Sequence, residues 1–249
     1  MNTTLWLPGP PAPATARLRL VCFAHAGGGV AQFLRWSRLL PESVALCPVR
    51  TPGRESALGQ PLLHELHALV AGALAALQTL PALPTVLLGH SLGSLIAYEV
   101  ARALQAAGRP PELLIVSARN APHLREDRPP LSGLSDAAFI AELDGRYGGI
   151  PREMKEVPEF LQLMLPILRA DVAASDSYRH APGPPLRCPI LACYGVEDRS
   201  TDPQSIKAWS EHGAHGVELH GFPGGHFYIY EPASGFLDAL RTRLLQHLR

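Results

Sequence analysis

The sequence predicts an α/β fold with a mostly parallel central sheet flanked by helices and interrupted by a helical insertion. Short apolar runs of strand length alternate with stretches of helical periodicity, the pattern of a parallel sheet covered on both faces. Residues 85–104 (TVLLGHSLGSLIAYEVARAL) pass from a strand-like run into a helix-like one through Gly89-His90-Ser91-Leu92-Gly93. Over residues 121–184 the strand signals stop while the helical ones continue.

Taken in order, residues 1–16 are rich in proline and alanine and are expected to wrap the surface. Residues 17–24 (RLRLVCFA) read as a strand that runs into a glycine-rich loop, His25-Ala26-Gly27-Gly28-Gly29. The helix that follows is expected to turn Phe33, Trp36, Leu39 and Leu40 inward. Residues 44–49 form the next strand, Pro52-Gly53-Arg54 a turn, and residues 62–80 a long alanine-rich helix ending before Pro81 and Pro84. Val86, Leu87 and Leu88 suit a buried strand. Beyond it Leu92, Ile96, Val100 and Leu104 recur at intervals of four and line one helix face, which Gly108 and two prolines terminate. Residues 113–117 are a fourth strand.

In the insertion, helices are expected near residues 136–146 and 159–178, with Gly148-Gly149 and Pro151 between them. The alternation resumes with a strand at 189–194, a helix at 203–212, a strand at 217–222 and a closing helix at 232–248. With no internal repeat and no long linker, residues 1–249 read as a single domain. Residues 121–184 read as a lid over the C-terminal ends of the strands.

A length of 249 residues suits one such domain, and a 47% hydrophobic composition suffices for a sizeable core. The formal net charge is zero, so there is no electrostatic case for nucleic-acid binding. No basic region followed by an apolar stretch marks a signal peptide, and the longest apolar run, residues 69–77, is too short to span a bilayer. Cys22, Cys47, Cys188 and Cys193 lie in or beside strands and form no C-x-x-C pair, so they read as reduced small hydrophobes with no metal role. These features point to a cytoplasmic protein.

A strand turning sharply into a helix through Gly-x-Ser-x-Gly is the nucleophile elbow of the α/β-hydrolase fold. The glycines let the two elements approach closely, and the turn exposes Ser91 Oγ at the C-terminal edge of the sheet. The alternative is a tight βα turn in another doubly wound fold. A serine nucleophile needs a base and an acid to orient that base, and in this fold they follow it in chain order, each after a strand. His226, in the loop Phe222-Pro223-Gly224-Gly225-His226-Phe227, is the candidate base. His212, His215, His220 and His247 fall in helices, in strands or on the expected surface, and His90 points away from the elbow. Asp198 is the candidate acid, with Glu197 and Asp202 as rivals; Asp202, before Pro203, looks more like a helix cap. The oxyanion hole is expected to use the N–H of Leu92 and a second N–H from the first βα loop, Ala26 or alternatively Gly27. That loop carries neither G-x-G-x-x-G nor a P-loop lysine, which argues against a phosphate cradle. In the insertion Met154, Phe160, Leu161, Leu163, Met164, Leu165, Ile167 and Leu168 form an apolar set. Most should pack on the sheet; one face would line an acyl chamber. The candidate substrate-binding residues are Gly27, Met154, Phe160, Met164 and Phe227.

Together these segments resemble the type II thioesterases, stand-alone hydrolases associated with modular polyketide and non-ribosomal peptide synthases. The likeness is carried by Phe23-Ala24-His25-Ala26-Gly27-Gly28, Pro52-Gly53-Arg54-Glu55, the elbow, and Ser117-Ala118-Arg119 with Ala121-Pro122. Tyr147-Gly148-Gly149, Leu165-Pro166-Ile167-Leu168-Arg169-Ala170-Asp171 and the histidine loop complete it. The family usually has proline at Ala24 and a second arginine at Ala57; the latter change weakens the case for an ionic role of the 52–57 turn. The resemblance implies hydrolysis of acyl groups from the phosphopantetheine arm of acyl or peptidyl carrier proteins, with no metal or organic cofactor. The default expectation is a monomer that docks transiently on the carrier protein. Two rivals stand beside it: a small carboxylesterase or lipase, and a ligand-binding protein on a hydrolase fold.

Overall fold

The computed structural model describes residues 5–124, 129–131, 133–151 and 156–248. Its strands are β1 (Leu18–Phe23), β2 (Val44–Val49), β3 (Thr85–His90), β4 (Leu113–Ser117), β5 (Ile190–Gly195) and β6 (Glu218–Phe222). They form one sheet in the order β2-β1-β3-β4-β5-β6, with every neighbouring pair parallel. The helices are α1 (Ala31–Leu34), α2 (Leu66–Leu77), α3 (Leu92–Ala106), α4 (Asp136–Tyr147), α5 (Pro158–Ser177), α6 (Pro203–Lys207) and α7 (Phe236–Gln246).

Because side chains alternate along a strand, the inner strands feed two cores, while β6 at the edge buries only Phe222. Val21, Phe23, Leu87, Leu114, Val116 and Ile190 pack with Leu66 and Leu69 of α2 and Leu95, Ile96 and Val100 of α3. Leu20, Cys22, Leu88, Ile115 and Cys193 pack on the other face with Phe33 of α1 and Phe236, Leu240 and Leu244 of α7. The apolar runs over β1, β3, β4 and β5 therefore mark strands buried on both faces. The sheet reverses its winding between β1 and β3, and in such sheets the crevice at that point is where ligands bind.

Several boundaries differ from expectation. The helix after β1 is only four residues long and passes into a 3₁₀ turn over Arg35–Arg38. Leu39 is where the chain leaves that turn, so it is 55% exposed and faces outward, while Phe33, Trp36 and Leu40 are buried. α2 begins at Leu66 rather than at 62, because Glu65 is extended and Leu62 packs across Gly53 in the preceding turn. The N-terminal segment does more than wrap the surface. Trp6 is buried against Gly72 of α2, where a side chain would collide with its indole, and its carbonyl accepts a hydrogen bond from Arg50 N at 2.8 Å. The cysteines are unpaired, and burial pushes the Cys47 and Cys188 thiols up to about 11. Among the described residues no helix is long and apolar enough to cross a membrane.

His212, at the end of the helical stretch expected over 203–212, is buried. Its Nδ1 lies 3.0 Å from Tyr98 Oη and its Nε2 2.7 Å from His123 Nδ1. Burial first, then His180 and His123, push it down to about 4. Burial also pushes His25 down to about 3, with His226 and Arg54 adding to the shift, and holds His90 well below the ordinary value of 6.5. In the unfolded chain all three take up protons near 6.5, so below that pH the unfolded state binds more protons than the folded one. Stability should therefore decline steadily from about pH 6.5 to about pH 4, read as the urea midpoint at several pH values. A midpoint unchanged between those pH values would contradict neutral burial of these rings.

Candidate active site

The elbow sits at the junction of β3 and α3. Ser91 has φ 54° and ψ −118°, a conformation that non-glycine residues adopt only under constraint. The constraint comes from both sides. A Cβ on Gly89 would collide with the carbonyl of Gly93, and one on Gly93 with the carbonyl of Phe23. Behind the turn, Ser91 N donates to Ser117 O at 2.8 Å, and the buried Ser94 hydroxyl lies 2.8 Å from Gly89 O and 3.0 Å from Ser117 O. The serine side chain caps nothing, so Oγ is left for chemistry.

β5 and β6 end side by side and deliver the acid and the base. Glu197 N donates to Gly224 O at 3.1 Å, which ties the two loops together. His226 Nδ1 lies 2.8 Å from Asp198 Oδ2, with both side chains almost fully buried. Burial alone would raise the Asp198 carboxyl. The hydrogen bond and charge of His226, with two bonds from Ser200, outweigh it and hold the carboxyl below its usual range. An ionised carboxylate on Nδ1–H leaves the Nε2 lone pair as the basic position. Ser91 and His226 line one cavity. The rival acids stand elsewhere: Glu197 is exposed, and Asp202 accepts from Gln204 N and Ser205 N as the N-cap of α6. His90 turns away, its Nδ1 2.9 Å from Ser117 Oγ.

Leu92 opens α3 and Ala26 follows β1, and both line the same cavity. Among the described residues neither N–H donates to a protein acceptor. Gly27 is excluded as the second donor because its N–H is committed to Asp171 Oδ2 at 2.7 Å. Asp171 comes from α5 and makes a two-pronged ion pair with Arg54, Nη1 to Oδ2 and Nη2 to Oδ1, each 2.8 Å. Arg54 Nη1 also donates to Gly28 O at 2.9 Å. The 52–57 turn thus has an ionic role after all: one arginine suffices because its partner lies on the lid helix, out of sight of any local pattern.

The upper wall of the cavity is apolar, from Leu131, Leu143, Ile150, Leu168 and Val172. Phe227 lines it as expected. Phe160 and Met164 do not: they pack against the cluster of Phe139, Ile140, Leu168 and Val172 from outside the cavity, because α5 turns Leu168 and Val172, four residues apart, toward the serine. Gly27 is not a wall residue either; a side chain there would collide with Leu168. Met154 lies outside the described residues.

The thioesterase-domain family matches residues 18–244. The chain belongs to the thioesterase family. It is 38% identical to the thioesterase PikA5 of Streptomyces venezuelae, over 94% of this chain and 83% of that one. Its fold superposes on the type II thioesterase BorB of the borrelidin biosynthetic cluster with a TM-score of 0.86 and 34% identity, covering 98% of each chain. RedJ, a thioesterase of the prodiginine pathway in Streptomyces coelicolor, gives a TM-score of 0.81 and 37% identity, covering 96% of this chain and 87% of that one.

Two contacts in the thioesterase site escape sequence reading. The ring of Tyr147, at the end of α4, lies 4.9 Å centroid to centroid from that of His226. Just beyond it, Gly149 leaves room for the Phe227 ring. Tyr147-Gly148-Gly149 therefore seats the lid on the histidine loop. The second is Ser200, two residues after the acid. Its N–H and hydroxyl both bond Asp198 Oδ1, at 2.8 and 2.6 Å, and its Oγ is 3.0 Å from His226 Nδ1. A serine shortly after the candidate acid was the available signal, but turns are rich in serine, so it singles out nothing. Ser200→Ala should keep the fold and lower kcat of the thioesterase roughly fivefold, the worth of one hydrogen bond. Steady-state kinetics on a carrier-bound thioester would show it.

Proposed function

We propose that this thioesterase hydrolyses acyl thioesters on the phosphopantetheine arm of acyl or peptidyl carrier proteins. It thereby clears stalled or mis-primed chains from a polyketide or non-ribosomal peptide synthase. The observation that carries the reading is the meeting of Ser91, His226 and an apolar lid wall in one cavity. Relatives of biosynthetic clusters match over nearly the full chain and support it.

In the proposed mechanism His226 Nε2 takes the Ser91 proton as Oγ attacks the thioester carbonyl, and Asp198 stabilises the imidazolium. The N–H groups of Leu92 and Ala26 hold the oxyanion, each worth about 3 kcal/mol in the transition state. The thiol leaves with the proton from His226. Water, deprotonated by the same ring, then releases the acid and restores Ser91. Each step uses groups of the chain itself, so the reading includes no cofactor. It takes the enzyme to be cytoplasmic, where carrier-bound substrates are made, and to act as a monomer that docks transiently.

The test is hydrolysis of carrier proteins loaded with acetyl through decanoyl groups, beside the matching oxygen esters. A kcat/KM higher for the carrier thioesters is expected. Cleavage of the oxygen esters alone would favour a carboxylesterase, and silence on both a binding protein.

A further inference from the structure

Next to the Ser91 cavity lies a second depression, a groove between the segment after β4, the end of α4 and the end of α5. It encloses about 1340 Å³ open to solvent, against about 620 Å³ for the Ser91 cavity. The two are continuous: Arg119, Arg146, Tyr147, Ser175 and Asp176 line both. Their linings differ in kind. Arg119, Arg146 and Asp176 lie where the two meet; the aliphatic wall of Leu131, Leu143, Ile150, Leu168 and Val172 belongs to the cavity alone, whereas among the described residues Arg179 is the guanidinium that belongs to the groove and not to the cavity.

These arginines are held in place. Arg119 Nη1 donates to Ser175 Oγ at 3.1 Å. Arg146 Nε pairs with Glu142 at 2.8 Å and its Nη2 donates to Pro129 O at 3.1 Å. Arg179 Nη1 donates to two backbone carbonyls, Asp176 O and Tyr178 O, each at 2.7 Å. Among the described residues no carboxylate pairs with Arg179, so its charge faces the groove uncompensated. A guanidinium braced by carbonyls, with donors to spare, suits an anionic oxygen.

We propose that this groove is a phosphate subsite, in which Arg179, with Arg119 and Arg146, receives the phosphodiester of the substrate's pantetheine arm. The inference rests on the carrier-thioester reading given above. The arm has an acyl end, which belongs against Leu143, Leu168 and Val172, and an anionic end, which belongs toward Arg179, with Arg119 and Arg146 at the passage between. The chain's zero formal net charge rules out a general pull on anions, so a phosphate preference has to come from a local arrangement such as this.

The experiment compares an acyl-pantetheine with the same acyl-4′-phosphopantetheine, both free of protein, as substrates of the wild type, Arg179→Ala, Arg179→Glu and Arg241→Ala. Arg241 is a half-exposed arginine on α7, outside the groove, and serves as the control. The wild type is expected to prefer the phosphorylated substrate about tenfold in kcat/KM, through KM, as for a charge-assisted hydrogen bond. Arg179→Ala should bring that ratio near one, Arg179→Glu should invert it, and Arg241→Ala should keep it. Added salt should erode the wild-type preference. Equal wild-type rates on the two substrates, or a ratio that survives both Arg179 substitutions, overturn the phosphate subsite and leave the thioesterase reading intact. Failure to cleave either substrate, or a carrier-bound thioester, overturns both.

Discussion

Ser91→Ala is expected to lower kcat for thioester hydrolysis by a factor on the order of 10⁴ to 10⁶ while the protein stays folded. The loss is large because the rest of the triad acts only through Ser91 Oγ. His226 and Asp198 then have no proton to move, and what remains is binding and the oxyanion hole. The fold should survive because the strain at this position is held by the backbone. Ser91 N still donates to Ser117 O, Gly89 and Gly93 still allow the close approach, and the lost hydroxyl made no capping bond. A urea midpoint near that of the wild type, together with loss of turnover on carrier thioesters, is the expected pair of results. Turnover retained by the variant would remove Ser91 from the mechanism.

Breaking the Arg54–Asp171 pair is expected to cost about 3–5 kcal/mol of stability, since either Arg54→Met or Asp171→Leu leaves its partner charged and buried. The two side chains are 6% and 3% exposed, so water cannot make up the loss. The double variant should regain much of that stability, because two apolar residues replace a desolvated pair. Activity should not return with it. Asp171 also holds the N–H of Gly27, and Arg54 the carbonyl of Gly28, in the loop whose Ala26 lines the cavity. Without them Ala26, the second oxyanion donor of the proposed mechanism, would be free to drift, and loss of one donor is worth a factor of about 10² to 10³ in kcat. Urea titration and kcat measured on the same three variants separate the effects. Recovery of both quantities in the double variant would make the pair purely structural.

The pair also explains how the lid and the catalytic loop are joined. Asp171 lies on α5, the helix that turns Leu168 and Val172 to the cavity. Tyr147 makes a second junction, resting on His226 from the other lid helix. In the proposed mechanism, displacement of residues 121–184 as a lid would disturb the Ala26 loop and His226 together.

The sequence by itself determined the parts of this protein that depend on neighbours in the chain. Strand periodicity placed β2 and β4 to the residue, β1, β5 and β6 within one residue at either end, and β3 two residues short at its C-terminal end. The Gly-x-Ser-x-Gly spacing located the elbow, and chain order after β5 and β6 singled out Asp198 and His226, which the structure brings within 2.8 Å of each other. These signals are local: a turn that needs two glycines, a strand that needs alternating apolar faces, a cap such as Asp202 that needs the next two N–H groups. What only the tertiary structure decided involves partners far apart. Arg54 and Asp171 are 117 residues apart, and no spacing predicts that a turn after β2 will meet α5. The same holds for Tyr147 on His226 and for the choice of Leu168 and Val172 over Phe160 and Met164 as the chamber wall. Periodicity shows that a helix has an apolar face, but the angle at which the helix docks selects which of those side chains meets the substrate.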